Sequence, residues 1–183
     1  GQLAWKLRND PRVVVLERTN LRYVNSEQIG ARAEVVTLDL SFISLTKVWP
    51  AVLAVSAPSA VVLSLIKPQF EAGRTRVGKR GVVRNPATHL EVILSLCDEA
   101  MRLGFSISGL SYSPITGPEG NIEFWMYALA PPPVGASLDS DAVRARAHSV
   151  VEAARRALCA GATQQGNRCS AKNHGEGKGG ASS

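Results

Sequence analysis

Apolar and polar residues alternate in blocks along most of the chain, and each block has the length of one strand or one helix. Short runs rich in β-branched residues predict buried strands at Val13–Leu16, Glu34–Leu38 and Ala60–Ile66. Leucine, valine and isoleucine at helical spacing predict helices over Leu45–Val55 and Ala87–Leu103. Strands and helices in turn are typical of a mostly parallel sheet.

Two further strands are predicted after these helices, at Phe105–Ser111 and Ile122–Leu129, joined by a turn rich in proline and glycine. They read as an antiparallel hairpin. A shorter helix is predicted at Gln2–Arg8, and a short helix or turn at Asn25–Gly30. The predicted fold class is therefore α/β, with a mostly parallel sheet that ends in an antiparallel C-terminal hairpin.

The composition changes after the hairpin. Three prolines, Pro131–Pro133, mark a boundary, and Ser140–Leu158 predicts a helix with several arginines. From Gly161 the chain consists mainly of small and polar residues. We predict a main domain over 1–130, a proline-rich linker with a basic helix over 131–160, and a disordered tail over 161–183.

Composition narrows the class of protein further. The 183 residues carry 21 Lys and Arg against 15 Asp and Glu, a net charge of +6. This charge makes an anionic partner plausible without choosing between nucleic acid and an anionic membrane.

Proline and serine interrupt the longest apolar stretch, so no membrane span is predicted. Three cysteines are too few for a disulfide framework, and the expected compartment is the cytoplasm.

No metal site is predicted, because Cys159, Cys169 and His174 lack the spacing of zinc ligands. His89 and His148 are expected on helix surfaces rather than as ligands.

Three side chains stand where parallel strands would converge. Asp39 follows one predicted strand, Lys67 follows the next, and Glu123 lies near the start of the returning strand. Each alone has a simpler explanation: a helix cap, a solvated lysine and the polar face of an edge strand. Together they predict a lysine between two carboxylates, which keeps its proton unless burial or a second cation opposes that charge.

Larger motifs surround these residues. The segments Asp39–Leu45, Lys67–Gly73 and Ser113–Phe124 resemble the TlyA family, as do Gly1–Trp5 and Glu17–Asn20. These are hemolysin-like ribosomal RNA 2'-O-methyltransferases of the FtsJ class. The resemblance covers roughly residues 1 to 129, with the motifs in the same order.

The resemblance implies a Rossmann-like methyltransferase that uses S-adenosylmethionine and acts on ribosomal RNA or ribosomal subunits. Asp39, Lys67 and Glu123 would be the last three members of the family's Lys-Asp-Lys-Glu tetrad. Lys67 would deprotonate or orient the ribose 2'-hydroxyl while the two carboxylates position it. The cofactor would lie beside Thr19, Asn20 and Asp39, and the RNA phosphates beside a basic loop that contains Arg74, Arg76, Lys79 and Arg80.

Some family features are expected upstream of Gly1: the glycine-rich cofactor motif, the first tetrad lysine and a small RNA-binding domain. The chain is therefore expected to be N-terminally truncated, to lack the first strands of the sheet, and to be inactive alone. Val13–Leu16 would then be displaced or pair abnormally. The alternative function is a non-catalytic RNA-binding remnant, and a membrane-lytic activity is the least supported.

Overall fold

The computed structural model describes residues 3–130 and 138–159. The strands are β1 (Ala33–Leu38), β2 (Ser56–Ile66), β3 (Ser106–Tyr112) and β4 (Phe124–Ala130). The α-helices are α1 (Trp5–Arg8), α2 (Ser26–Ile29), α3 (Trp49–Val55), α4 (Pro68–Glu71), α5 (Pro86–Arg102) and α6 (Ser140–Cys159). The segment 131–137 and the predicted tail lie outside the described residues, and the three-part division of the chain stays a prediction.

The four strands form one sheet in the order β1-β2-β4-β3. β1 and β2 run parallel, with Leu38 opposite Ser64, whereas β4 is antiparallel to both β2 and β3. Ile66, the last residue of β2, lies opposite Phe124, the first residue of β4. The predicted α/β class and its antiparallel hairpin are confirmed. The carboxyl ends of β1 and β2 meet the start of β4 at one edge of the sheet, which we call the site edge.

The core is made by the central strands and the three long helices. Ile66 and Met126 are fully buried in the sheet, as are Trp49 of α3 and Ile93 of α5. Helix α6 buries one face against α5 and β3 through small and branched residues: Val143, Ala147, Val150, Val151 and Ala154. Helix α6 is therefore part of the same hydrophobic core as the sheet.

The prediction of a strand at Val13–Leu16 is wrong. This segment has no strand partner among the described residues, and Val14 is 62% exposed. Extended backbone becomes a strand only by hydrogen bonding to a neighbour.

The predicted helix Leu45–Val55 is two pieces, a 3₁₀ turn at Leu45–Lys47 and then α3. Pro50 explains the break, since its ring would clash with the carbonyl four residues earlier and it has no N–H to donate. Both pieces still bury their predicted apolar face, which includes Leu45, Val48 and Val52. Of the predicted N-terminal helix Gln2–Arg8, the structure forms α1, and the predicted helix Asn25–Gly30 is confirmed as α2.

Candidate functional site

Asp39 and Lys67 form an ion pair at the site edge. Asp39 follows the end of β1 and Lys67 follows the end of β2, and because these strands are parallel and adjacent, their ends bring the two side chains together. Lys67 Nζ lies 2.5 Å from Asp39 Oδ1. The lysine side chain is only 13% exposed while the aspartate is 69% exposed. The Lys67 side chain is therefore largely buried, whereas the Asp39 side chain is exposed to solvent.

Glu123 lies at the same edge of the sheet and is bound by Gln69. It precedes β4 and is 6% exposed. Among the residues that the structure describes it forms no ion pair, and its Oε1 instead accepts a hydrogen bond from Gln69 Nε2 at 3.0 Å. Gln69 lies two residues after Lys67, in α4. The three predicted residues therefore share one edge, but Gln69 rather than Lys67 contacts Glu123 directly.

Glu71, at the end of α4, joins the two parallel strand ends. Its Oε1 accepts a hydrogen bond from the Leu45 amide at 2.9 Å, so the loop that follows Asp39 is tied to the helix that follows Lys67. Burial raises the pKa of the Glu71 carboxyl, and hydrogen bonds from Leu45 and Ser44 only partly offset this. Sequence reasoning missed Glu71, although it stands inside the quoted motif Lys67–Gly73.

The loop that follows Asp39 carries an exposed aromatic ring, that of Phe42. Phe42 is 90% exposed and has φ of 64°, a left-handed conformation that is unusual for a bulky residue. Its ring lies 4.9 Å from that of Phe70. A cavity of about 580 Å³ opens beside it, lined by Phe42, Gln69, Phe70, Gly73, Arg74, Val77, Gly78 and Gly81. Sequence reasoning assigned no role to Phe42, although it stands inside the motif Asp39–Leu45.

The predicted RNA-contacting residues lie on the loop that follows α4. Arg74 lines the cavity beside Phe42, and Arg76 forms an ion pair with Glu91 of α5. Arg80 is exposed, with φ of 71°, and lines a second cavity of about 480 Å³ together with Arg76 and Arg84. Lys79 begins the 3₁₀ turn that contains Arg80. The loop therefore presents several arginines next to the site edge.

The predicted cofactor residues have local roles. Thr19 Oγ1 donates to the Glu17 carbonyl at 3.2 Å, and Asn20 Oδ1 accepts from the Arg22 amide at 3.2 Å, capping a short 3₁₀ turn. Both residues are exposed. Of the three residues assigned to the cofactor, Asp39 alone contacts Lys67 in the described structure.

The prediction that His89 lies on a helix surface is wrong. Its side chain is 1% exposed, Nε2 lies 2.9 Å from the Val83 carbonyl, and the ring packs edge-on against Phe124. The spacing to Ile93 and Leu96 placed it on the buried face of α5, so the signal was present. His148 is exposed as predicted.

Two absences hold for residues 3–130 and 138–159. No group of three or more metal-ligating side chains lies close enough to hold an ion. No described helix is both long and apolar enough to cross a bilayer.

The comparisons with known proteins agree on one family. The model of the FtsJ-like methyltransferase family matches residues 1–129. The 16S/23S rRNA (cytidine-2'-O)-methyltransferase TlyA of Mycobacterium tuberculosis is 48% identical over 127 residues, which is 69% of this chain and 47% of that protein. Hemolysin A of Brachyspira hyodysenteriae is 37% identical over 125 residues, or 68% of this chain and 52% of its own length.

A solved structure has the same architecture. The structure named "Putative hemolysin from Streptococcus thermophilus" superposes with a TM-score of 0.79 at 34% identity, covering 88% of this chain and 57% of that one. The chain thus spans about half the length of the curated relatives it matches.

Proposed function

Because the chain belongs to the FtsJ-like methyltransferase family, we propose that it carries the substrate-facing part of an RNA 2'-O-ribose methyltransferase. The observation that supports this most directly is the Lys67–Asp39 ion pair, at 2.5 Å, with a nearly buried lysine at the carboxyl ends of two parallel strands. Ligand sites of open α/β sheets lie at this position.

In this proposal Lys67 holds the ribose 2'-hydroxyl by a hydrogen bond at its oxygen or takes its proton. The Asp39 carboxylate, 2.5 Å from Nζ, holds the lysine amine at the strand ends. Glu123, held by Gln69, positions the substrate from the other side of the edge. Rate enhancement would come mainly from alignment of the hydroxyl and from removal of its proton.

Phe42 and the basic loop supply the proposed RNA contacts. An exposed aromatic ring offers a face on which a base can stack. Arg74, Arg76, Lys79 and Arg80 would bind phosphates, an interaction that weakens as salt increases. The partner we propose is ribosomal RNA or a ribosomal subunit, by analogy with the named activity of the tuberculosis relative. With such a substrate, we propose a cytoplasmic location.

S-adenosylmethionine would supply the methyl group, and the described residues provide only part of a site for it. Asp39 offers an exposed carboxylate at a strand end, but Thr19 and Asn20 are engaged in local hydrogen bonds. The described segments after β1, β2 and β3 contain no Gly-x-Gly turn that leads into an α-helix, the element that lets a backbone approach such a ligand closely. We therefore propose that this chain alone does not methylate RNA.

The proposal is tested by calorimetric titration of S-adenosylmethionine into this chain and into a version extended upstream to a complete Rossmann-like sheet. We expect binding to the extended form alone. In that form Lys67→Ala should abolish methyl transfer to ribosomal RNA while cofactor affinity stays within a few fold. If the present chain bound S-adenosylmethionine without the upstream extension, the glycine-rich motif would be dispensable.

The second candidate is a non-catalytic RNA-binding module, favoured by the cavity that Arg76, Arg80 and Arg84 share. It predicts salt-dependent RNA binding by this chain and no methyl transfer by the extended form. Methyl transfer that requires Lys67 would exclude it.

A further inference from the structure

Asn121 is a buried side chain that bonds to three separate backbone groups. It is 4% exposed. Its Oδ1 accepts a hydrogen bond from the Val83 amide at 3.1 Å, and its Nδ2 donates to the carbonyls of Gly81, at 3.0 Å, and Pro118, at 3.4 Å. A buried amide with both ends satisfied fixes the segments it joins, because breaking either bond leaves a backbone group unpaired.

The segments that it joins are the end of the basic loop and the turn before β4. Gly81 and Val83 belong to the loop, whereas Asn121 stands two residues before Glu123. The turn is itself closed by a hydrogen bond from the Gly117 amide to the Asn121 carbonyl at 2.8 Å. The Asn121 side chain therefore ties the end of the basic loop to the turn that leads into Glu123.

The part of the loop held in this way forms one wall of the cavity beside the site. Gly78 and Gly81 line that cavity together with Phe42, and Gln69, which binds Glu123, lines it as well. The Gly81 amide donates to the Gly78 carbonyl at 3.1 Å, which closes a tight turn across the residues between them. Asn121 thus fixes where this wall stands relative to Glu123.

Arg80 sits inside that tight turn in an unfavourable conformation. Its φ of 71° is left-handed, and such a backbone persists in a non-glycine residue only when the surroundings hold it. The hydrogen bond from the Gly81 amide to the Gly78 carbonyl spans Arg80, and Asn121 anchors the next carbonyl, that of Gly81. Arg80 itself is exposed and lines the arginine cavity.

We propose that Asn121 is a positioning residue that ties the backbone next to Arg80 to the turn leading into Glu123, so that a phosphate bound by Arg80 sets the place of the nucleotide at the site edge. This inference rests on the proposed function, since it assumes that Arg80 contacts RNA. Asn121 itself touches neither RNA nor the reacting atoms. Its role is exerted through the backbone of Gly81 and Val83.

The test is a double-mutant cycle on the 183-residue chain, read as the salt dependence of binding to a fluorescein-labelled RNA hairpin. Arg80→Ala should lower the slope of log affinity against log salt by about 1 in the wild-type background. In an Asn121→Ala background the same change should have almost no effect, because Arg80 is no longer held in place. Ser56→Ala is the matched control: it removes a buried hydrogen bond, Ser56 Oγ to the Val52 carbonyl, at the opposite end of β2 and should leave the effect of Arg80→Ala unchanged.

Asn121→Asp separates positioning from general stability. It keeps the oxygen that accepts from Val83 but replaces the donor to Gly81 with a second oxygen. Hydrogen exchange should show a Val83 amide that stays protected, while the contribution of Arg80 to the salt slope is lost as in Asn121→Ala. A slope contribution that survives in both variants would overturn the proposal.

Failure of the proposed function has a different outcome. If the wild-type chain bound no RNA, the RNA-binding proposal would fail together with the role assigned to Arg80. If RNA bound and Arg80→Ala had an equal effect in every background, only the positioning role of Asn121 would be lost.

Discussion

Gly117 lies directly against the carboxylate of Glu123. A Cβ placed on Gly117 would come within 2.8 Å of Glu123 Cδ, closer than real carbon atoms approach. The backbone at Gly117 is extended, with φ of −70° and ψ of −178°, which any residue adopts. The glycine is therefore required by the space that Glu123 occupies and not by its own backbone conformation.

We predict that Gly117→Ala displaces the Glu123 carboxylate from Gln69 and lowers the free energy of unfolding by about 1–3 kcal/mol, the usual cost of overpacking. Urea denaturation measures this. In a Glu123→Ala background the same substitution should cost much less, because the obstructing carboxylate is gone. Thr116→Ala, at the exposed neighbouring position, is the control. Equal costs in the two backgrounds would contradict the steric explanation.

His89 should make stability depend on pH. Burial lowers the pKa of its imidazole below the ordinary 6.5, and Arg155 adds to this, while the hydrogen bond to Val83 opposes it. Because the unfolded chain binds the proton more readily, the stabilisation is complete above pH 6.5 and is lost as the pH falls through the lowered pKa. Urea denaturation between pH 7.5 and pH 5, values chosen around that ordinary pKa, should show this loss in the wild type.

In His89→Gln the loss of stability at acidic pH should be smaller, since an amide does not titrate. The matched control is His148→Gln, which changes an exposed histidine and should keep the wild-type slope. Parallel curves for wild type and His89→Gln would show that another group causes the dependence.

Glu71 should make stability depend on pH in the direction opposite to that of His89. Its pKa is raised above 4.5, chiefly by burial, so its stabilising contribution is complete below pH 4.5 and is lost as the pH rises through the raised pKa. Glu71→Gln removes the charge and keeps an acceptor for the Leu45 amide, so we expect it to be more stable than wild type at neutral pH.

Glu71→Ala leaves that amide unpaired and should cost about 1–3 kcal/mol relative to Glu71→Gln. Chemical denaturation at pH 5 and at pH 8 compares the three proteins. If Glu71→Gln gained no stability relative to wild type between these two pH values, burial of the charge would not be the dominant effect.

Cys97 should be unreactive in the folded protein. Its side chain is fully buried, and burial, with a smaller effect of Asp98, raises the pKa of the thiol to about 12. The thiolate is the reactive form. In a Cys159→Ser, Cys169→Ser variant, Ellman's reagent at pH 8 should detect no thiol until denaturant is added. Rapid labelling of the native variant would indicate local opening of α5.

Much of the fold followed from local patterns. The spacing of apolar residues predicted the strands and helices from Glu34 onward, because burial on one face imposes a period of two or 3.6 residues on any chain. Lys67 and Asp39 were predicted to meet because parallel strands end at the same edge. Pro50 divided one predicted helix, and Val13–Leu16 failed as a strand because strand formation depends on a partner that local sequence does not specify.

The tertiary structure decided how the site is connected. Gln69 and Glu123 are separated by 54 residues, and Asn121 and Val83 by 38, so no local period relates them. Their contacts arise because β4 returns antiparallel to β2 and brings its preceding turn against the loop after α4. The sequence by itself determined which residues carry charge at the strand ends. Hydrogen bonds between distant buried groups decided which of those residues touch, because such bonds form only after packing has excluded water from both partners.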